Sequence, residues 1–405
     1  MLTRSPDAWA IGVGIGLHMV IVMQRRLAPI ALLLAAACAD PVRPPLAVEV
    51  SATLTQIPPI PGVASAVDIG TVVQNAVIYG RDGAVSGKIG NKSVWTFGDT
   101  PMSVPGIEQH NWVDNSLSWT TDLDASNGIT LTNDYLDATG APGEFLPYTT
   151  FESQYNYAHD NLHCTAQPCG AEYAMWPGEI VADPTRNRAL VFYFELWRIP
   201  GQSGWTNIGS GLAIATAGGT FTRPILNPGG ADPTLMWDST EVAYGSGSAV
   251  VHDTLVSYGC EPKFVTMRCR VARVPLADAL VKARWEYWAG NNVWSSDPAS
   301  AVYVLAGGAA GNSISYNAYL GMYVAIYSGV FSDDVFFRVS RNAWGPWSAQ
   351  TKLFTGRPGW NGNTSYAGEA HPEYSQQNGK VMYVTYAHTT GFLRMDLPIV
   401  KITFQ

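Results

Sequence analysis

Acidic residues stand at both ends of a hairpin pattern in the first third of this chain. Asp82 precedes a short run of small residues at 84–89, and Asp99 follows a β-branched and aromatic run at 93–97. The Gly90-Asn91 dipeptide between the runs tolerates positive φ, so it predicts a tight turn. Because the turn folds the chain back, both carboxylates should lie on one rim. One protonated acid and one ionised carboxylate are the requirement for glycoside hydrolysis.

The same arrangement, a strand of small residues, a turn and an apolar strand, recurs along the chain. Its five copies begin near residues 84, 178, 245, 312 and 370. Repetition of multi-stranded units at intervals of about 40–50 residues or more indicates a β-propeller. The fold is therefore predicted to be all-β, a five-bladed β-propeller, with residues 68–79 as a strand that joins the last blade.

The starts of the inner strands form the predicted catalytic site. In a propeller these strands line a central channel, and their ends at one face enclose a pocket. The candidate catalytic residues that begin inner strands are Asp82, Glu179 and Glu369, with Asp99 further out on the rim. Clustered carboxylates raise at least one pKa, as an acid catalyst requires.

Further polar and aromatic residues are candidate substrate-binding groups: His371, Glu373, Asn312, Trp176 and, in the long segment 134–174 without a clear element, Tyr155 and Glu152. Alternate residues of a strand share a face, so His371 and Glu373 should point the same way. Loops as long as this segment are usually functional or disordered. Structural alternatives are a turn for Asp99, an ion pair or turn for Asp82, a structural role for Glu179, and core or channel hydrogen bonds for His371 and Glu373.

Composition suits a sheet protein and excludes some function classes. The 405 residues include 14 Trp, 19 Tyr and 40 Gly, and 14% are charged. The net charge is −8 without a basic stripe, so nucleic acid is not an expected partner. Residues 245–248 lack the Gly-x-Ser-x-Gly spacing of a serine hydrolase, and no nucleotide-binding fingerprint occurs. The best helix candidate is residues 275–288.

The N-terminal region has the form of an export signal. Residues 9–22 are apolar but shorter than the about 20 residues that span a bilayer. A second pattern starts at Met23, the expected true start, and ends with small residues before Cys38. It resembles a bacterial lipoprotein signal, which implies cleavage before Cys38 and lipid attachment to its sulfur. Ordinary secretion with a free Cys38 is the alternative.

These patterns predict the domain organisation. Residues 1–37 form the signal region, 38–62 a lipidated, Pro-rich tether, and 63–405 the propeller. We expect an exported monomer that is anchored to the membrane of the cell envelope.

The remaining cysteines lie in two local pairs. An exported compartment permits disulfides, so Cys164–Cys169 and Cys260–Cys269 are predicted to form. A zinc site is the alternative, although spacings of five and nine residues are not those of a Cys-x-x-Cys site.

Several stretches resemble a family of exported bacterial five-bladed propellers that is catalogued as domain of unknown function 4185. They occur in the family's order over roughly residues 65–405: 81–83, 94–100, 176–178, 244–246, 313–327 and 370–373. Some members are glycoside hydrolases that act on the D-arabinan of mycobacterial cell walls, so the resemblance implies that activity class.

The layout is also similar to the arabinanase and xylosidase propellers of glycoside hydrolase family 43. By this resemblance Asp82 corresponds to the base and Glu179 lies near the helper acid, whereas Tyr244-Gly245-Ser246 replaces the third-blade acid Glu. Related propellers hold a central cation, so calcium or another cation near His371 is the one cofactor considered. The sequence identifies no metal ligands.

Together these features predict an exported glycoside hydrolase that acts on a polysaccharide, such as an endo-acting enzyme on furanose polymers like D-arabinan. Asp82 would be the base or nucleophile, and Glu179 or Glu369 the acid. The alternatives are a non-catalytic surface lipoprotein that binds glycan or protein, and a structural adhesin without a cleft.

Overall fold

Five antiparallel sheets surround a common channel in the computed structural model, which describes residues 56–199, 204–216, 219–263, 266–308 and 311–405. This confirms the predicted all-β, five-bladed propeller. The signal region, Cys38 and most of the proposed tether lie outside the described residues. Residues 56–62 contain neither helix nor strand. Within the described ranges, no helix combines the length and apolarity that crossing a membrane requires.

The described chain starts with a strand of the last blade and then enters blade one. These elements are β1 (Val63–Thr71), β2 (Val85–Ile89), β3 (Lys92–Phe97), the short separate pair β4 (Thr100–Pro101) and β5 (Trp112–Val113), β6 (Ser116–Thr120) and β7 (Asn133–Asp134). Blade one has the spatial order β2-β3-β6-β7.

Blades two and three carry the longest strands. Blade two follows the helix α1 (Thr150–His159) and contains β8 (Glu172–Asp183), β9 (Arg188–Arg198), β10 (Thr206–Thr216), β11 (Phe221–Thr222) and β12 (Trp237–Asp238). Blade three contains β13 (Tyr244–Val251), β14 (Thr254–Lys263), β15 (Thr266–Pro275), β16 (Glu286–Gly290), β17 (Val293–Ser295) and β18 (Tyr303–Gly308).

The last two blades complete the ring. Blade four contains β19 (Ser313–Asn317), β20 (Met322–Ser328), β21 (Asp334–Ser340) and β22 (Thr351–Thr355). Blade five contains β23 (Tyr366–Ala370), β24 (Val381–Gly391), β25 (Arg394–Asp396) and β26 (Pro398–Phe404). The strand β1 pairs antiparallel with β26, with Val63 opposite Phe404. The predicted ring closure is therefore confirmed, although the closing strand starts earlier in the chain than expected.

Small residues allow the inner strands β2, β8, β13, β19 and β23 to approach one another closely. A Cβ atom added at Gly178 would lie 2.6 Å from the carbonyl oxygen of Gly245 in the next blade. The backbone nitrogen of Asn312 donates to the carbonyl oxygen of Ser246 at 3.0 Å. The second strand of each blade supplies apolar side chains to cores between adjacent sheets, such as Phe192 against blade three. The ring therefore explains why strands of small residues alternate with apolar strands: the inner strands must approach one another closely, and the second strands fill the cores between sheets.

Two predicted elements are wrong. Residues 370–375 are not the inner strand of blade five, because β23 ends at Ala370 and the ring nitrogen of Pro372 cannot donate to a ladder; Pro372–Tyr374 form a 3-10 turn instead. Residues 275–288 form two 3-10 turns and no α-helix.

The helix α1 was missed in the long segment before β8. Its sequence signal is a capping box: the Thr149 hydroxyl accepts from the backbone of Glu152, and the Glu152 carboxylate accepts from the backbone of Thr149.

Both predicted disulfides are present. Cys164–Cys169 closes the loop that follows α1, and Cys260–Cys269 joins directly opposed residues of β14 and β15.

Candidate active site

Asp82 and Asp99 meet at the open end of the β2–β3 hairpin, which is the mouth of the channel. The backbone nitrogen of Asp82 donates to the carbonyl oxygen of Asp99 at 3.0 Å, and that of Gly98 donates to Asp82 at 2.8 Å. The ladder that pairs Val85 with Thr96 ends before these two acids, because the carbonyl oxygen of Asp82 accepts from Gly98 and not from Asp99. The charge of Asp99 acts on the Asp82 carboxyl, so the two side chains lie close together. The structure therefore brings the two carboxyls together, as the hairpin pattern predicts.

Arg198 is the central cation of this mouth. It lies at the end of β9, and its Nη1 donates to Asp99 Oδ2 at 2.8 Å. Its other nitrogens bind the carboxylates of Asp114 and, at 2.6 Å, Glu172. The indole nitrogen of Trp176 donates to the second oxygen of Asp99 at 3.2 Å. Both oxygens of Asp99 therefore accept hydrogen bonds, and such bonds stabilise a charged carboxylate.

Asp82 has different surroundings. Burial raises the pKa of Asp82 to about 6, and the neighbouring charge of Asp99 adds to this increase. The side chain of Tyr366, at the start of β23, hydrogen-bonds to Asp82. Asp82 therefore keeps its proton into the weakly acidic range.

Further carboxyl groups lie behind Arg198. The Tyr148 hydroxyl is 3.0 Å from Asp114 Oδ2 and 3.2 Å from Glu144 Oε1. Burial, together with the charge of Asp114, raises the pKa of Glu144 to about 8. Burial and the same charge also raise the pKa of Glu172, although Arg198 opposes this effect. The mouth therefore contains more carboxyl groups than cations.

Glu179, Glu369 and Glu373 form a second acidic group deeper in the channel. Burial raises the pKa of Glu179, and the charges of Glu369 and Glu373 add to it; burial alone raises the pKa of Glu369 to about 8. The charges that act on Asp82 are instead those of Asp99 and Arg198. The candidate acids therefore divide between two depths.

The depth follows from strand register. The expectation that Glu179 and Glu369 begin their strands is wrong, because β8 begins at Glu172 and β23 at Tyr366. A Cβ atom added at Gly87 would lie 2.8 Å from the Cβ of the residue after Glu179, Ile180. Glu179 is thus level with the middle of β2, below Asp82. Catalytic roles for Glu179 and Glu369 stay predictions.

His371 lies in the seam between blades five and one. Its Nδ1 is 2.6 Å from the hydroxyl of Ser86 and its Nε2 is 2.7 Å from that of Thr385. The imidazole stacks on Trp95 with ring centres 4.0 Å apart. Burial lowers the pKa of His371 to about 3, so the ring is neutral.

Glu373 belongs to the same seam, and Ser93 donates to its Oε1 at 2.7 Å. The prediction that His371 and Glu373 share a strand face is wrong because the 3-10 turn after β23 separates them. Asn312 is fully buried and directs its amide nitrogen at the Cys260 sulfur, 3.0 Å away. Substrate-binding roles for these three residues stay predictions.

Glu152 and Tyr155 lie on α1. Glu152 pairs with Arg223 Nη1 at 2.6 Å besides closing the capping box, and the Tyr155 hydroxyl accepts from Trp197 at 2.9 Å. These contacts attach α1 to blade two. Their predicted contacts with substrate stay untested.

In the part of the chain that the structure describes, two groups of side chains have the ligand types and spacing for a metal ion. Oxygens of Glu152, Glu195 and Asp232 lie within 4.8 Å of one another, but Arg223 already pairs with the first two and supplies their positive charge. The other group is largely exposed and consists of Glu108, Asp160 and His163. A central cation near His371 stays a prediction.

Six residues of the mouth were missed from the sequence: Arg198, Tyr366, Trp205, Asp114, Glu144 and Glu172. Arg198 and Tyr366 come from blades two and five, and no local motif marks either as a partner of blade one. The Trp205 indole contacts that of Trp176 edge to face, with ring centres 5.0 Å apart, and is 57% exposed. Its sequence signal is a tryptophan outside any apolar run.

A family model described as Domain of unknown function (DUF4185) matches residues 65–392. No curated protein matches the chain. Among solved structures, a Bacteroides ovatus protein is 15% identical, with 83% of this chain and 87% of that chain covered and a TM-score of 0.51. This likeness supports the fold.

Two enzymes are more distantly similar in structure. The GH43_1 enzyme from Xanthomonas citri, solved with xylotriose, is 10% identical, covers 84% of this chain and 90% of its own, and has a TM-score of 0.45. The endo-arabinase from Bacteroides thetaiotaomicron is 12% identical, with coverages of 83% and 97% and a TM-score of 0.42.

Proposed function

The chain belongs to the DUF4185 family, whose model covers residues 65–392, and we propose that it is a glycoside hydrolase that cleaves a polysaccharide at the mouth of its channel. One observation carries the proposal. Asp82 and Asp99 share one opening, where burial raises the pKa of Asp82 to about 6 while Arg198 and Trp176 hydrogen-bond to Asp99. A carboxyl that keeps its proton beside a stabilised carboxylate is the pair that glycosidic cleavage needs.

In this proposal Asp82 donates its proton to the glycosidic oxygen as the bond from that oxygen to the anomeric carbon breaks. The Asp99 carboxylate stabilises the positive charge that develops on the sugar. It then either removes a proton from the water that attacks the anomeric carbon, or bonds to that carbon itself to give an intermediate that water hydrolyses. Arg198 keeps Asp99 in place by its hydrogen bond to Oδ2. These roles make Asp82 the acid, the reverse of the role that the family 43 resemblance implies.

The electrostatics of the mouth favour a neutral substrate. Five carboxyl groups, those of Asp82, Asp99, Asp114, Glu144 and Glu172, surround one guanidinium that three of them already pair with. A uronic acid polymer would bring further negative charge to this site, and like charges repel. We therefore propose a neutral glycan, with furanose polymers such as D-arabinan as the first class to test.

The N-terminal sequence supplies the proposed setting. The signal pattern before Cys38 supports export and a lipid anchor, so the enzyme would act on polysaccharide outside the cytoplasm. A monomer is proposed as the acting form.

The test is digestion of a polymer panel at pH 5 with release of reducing ends as the readout. The panel contains neutral arabinans, galactan and xylan, with polygalacturonate as the acidic polymer. We expect release from at least one neutral polymer and none from the acidic one. Asp99→Asn should lower kcat/KM by about 10³-fold or more.

The matched control is Asp334→Asn, a carboxyl-to-amide change in β21 of blade four, which should keep kcat/KM within a few fold. Binding of a neutral polymer without any release would favour the alternative, a non-catalytic glycan-binding protein. Release that survives in Asp99→Asn would mean that other residues catalyse it.

A further inference from the structure

We propose that Trp205 is the floor of a sugar-binding subsite next to the Asp82–Asp99 pair, on which one ring of the substrate stacks. The inference rests on the proposed function and adds to it a residue that determines affinity for the polymer.

The position of Trp205 links it to the reacting groups. Trp205 lies immediately before β10, and its indole contacts that of Trp176 with an angle of 66° between the rings. The Trp176 nitrogen in turn hydrogen-bonds to Asp99. One side chain therefore separates Trp205 from a candidate catalytic carboxylate, as expected of a subsite beside the reacting sugar.

The exposure of Trp205 is the second observation. Its side chain is 57% exposed, whereas Trp176 is half-buried and held by its contacts. An exposed indole leaves a large apolar surface in water, and covering such a surface is favourable. The faces of neutral sugars carry C–H groups that pack on an aromatic ring while their hydroxyls stay hydrated. A charged ligand is not needed, which agrees with the excess of carboxyl groups at the mouth.

Tyr316 provides a matched control. It is exposed to nearly the same degree, 56%, but lies near the end of the inner strand β19, at the face of the ring opposite the mouth. Its ring contacts that of Tyr323, with centres 5.2 Å apart, and the two belong to one strand pair. A substitution there removes an exposed aromatic ring without touching the proposed subsite.

The experiment compares Trp205→Ala, Trp205→Phe and Tyr316→Ala in the full chain, on the neutral polymer that the wild type cleaves. We expect Trp205→Ala to raise KM by about 10-fold or more and to change kcat by less than about 3-fold, since it removes binding and not chemistry. Trp205→Phe, which keeps an aromatic face, should raise KM much less. Tyr316→Ala should match the wild type.

Unchanged KM in Trp205→Ala would overturn the proposal, as would equal losses in the Ala and Phe variants. If the wild type cleaves no polymer, hydrolysis is ruled out as the function. Polymer-binding measurements then test whether Trp205 forms a sugar-binding subsite. Affinity for neutral polymers, measured by tryptophan fluorescence, would support stacking if Trp205→Ala lost it and Tyr316→Ala kept it. A wild type that binds no polymer would overturn both ideas.

Discussion

Carboxyl groups lie beside inner strands both at the mouth of the channel and in the seam between blades five and one. The groups that bind these carboxyls differ between the two regions. At the mouth, Asp99 and its neighbours share one guanidinium, that of Arg198. In the seam, Glu373 accepts a hydrogen bond from Ser93, and the neutral ring of His371 lies between two hydroxyls.

Under the proposed function, this difference separates the reactive site from a structural one. Hydroxyl groups provide hydrogen bonds to a buried polar side chain without changing its charge, so the seam can remain buried and uncharged. Carboxyl groups that share too few cations must hold protons, which is the state that acid catalysis uses. Residue type alone therefore does not identify the site, because acids occur in both regions.

The largest expected effect on stability is at the mouth. Arg198→Met leaves the carboxylates of Asp99, Asp114 and Glu172 without their cation, so the free energy of unfolding should fall by about 3–5 kcal/mol at pH 8. The loss should be smaller at pH 5, because protonation removes part of the uncompensated charge. Urea denaturation at both pH values measures this.

The control for Arg198 is Arg357→Met, which removes the partner of Asp68 in a solvent-exposed pair. Exposed pairs contribute about 0–1 kcal/mol, so a small effect is expected. Equal losses in the two variants would contradict the special role of the mouth.

The seam should show a smaller effect with a distinct pH dependence. His371→Gln loses the stack on Trp95 and part of the hydrogen bonding, at a cost of about 2–3 kcal/mol at pH 7. Burial lowers the pKa of His371 from 6.5 to about 3, so below pH 6.5 the unfolded wild type binds a proton that the folded state does not bind. Wild-type stability therefore decreases as the pH is lowered from 6.5 towards 3. The difference in the free energy of unfolding between wild type and variant should be smaller at pH 4 than at pH 7.

Denaturation curves at pH 7 and pH 4 test this. A gap that widens towards pH 4 would mean that His371 is charged in the folded protein.

The smallest effect is a gain in stability at the mouth. The pKa of Asp82 is raised from 3.8 to about 6, so the folded state keeps a proton that the unfolded state has lost. Stability is therefore lost as pH rises from 3.8 to 6, and Asp82→Asn should recover about 1–2 kcal/mol at pH 8. At pH 4 the variant and wild type should be nearly equal in thermal unfolding.

The comparison residue is Asp124, whose carboxylate caps a 3-10 turn by accepting from Ser126. The hydrogen bonds from Ser126 lower the pKa of Asp124, so Asp124→Asn should not stabilise the protein at pH 8. A destabilised Asp82→Asn would contradict the assignment of Asp82 as the proton-holding acid.

Local patterns predicted those parts of the protein that depend on neighbouring residues. The Gly90-Asn91 turn folds β3 back along β2, so the chain ends that carry Asp82 and Asp99 meet and the Asp82 nitrogen donates to the Asp99 carbonyl oxygen. The cysteine spacings predicted both disulfides, because each pair lies in one loop or one strand pair. Predictions failed where a turn residue was overlooked: Pro372 ends the run that was expected to be a strand, and the capping box at Thr149 starts a helix that was not expected.

The sequence by itself determined the five repeated strand pairs, the closing strand and the pair of acids at the first hairpin, since alternation and turns act over a few residues. The tertiary structure decided which acids share a space. The depth of Glu179 depends on where β8 begins, and the partners Arg198 and Tyr366 reach Asp82 and Asp99 from other blades. Closure of the ring brings these residues together. Burial and the charge of Asp99 then set the pKa of Asp82, and no local sequence pattern contains this information.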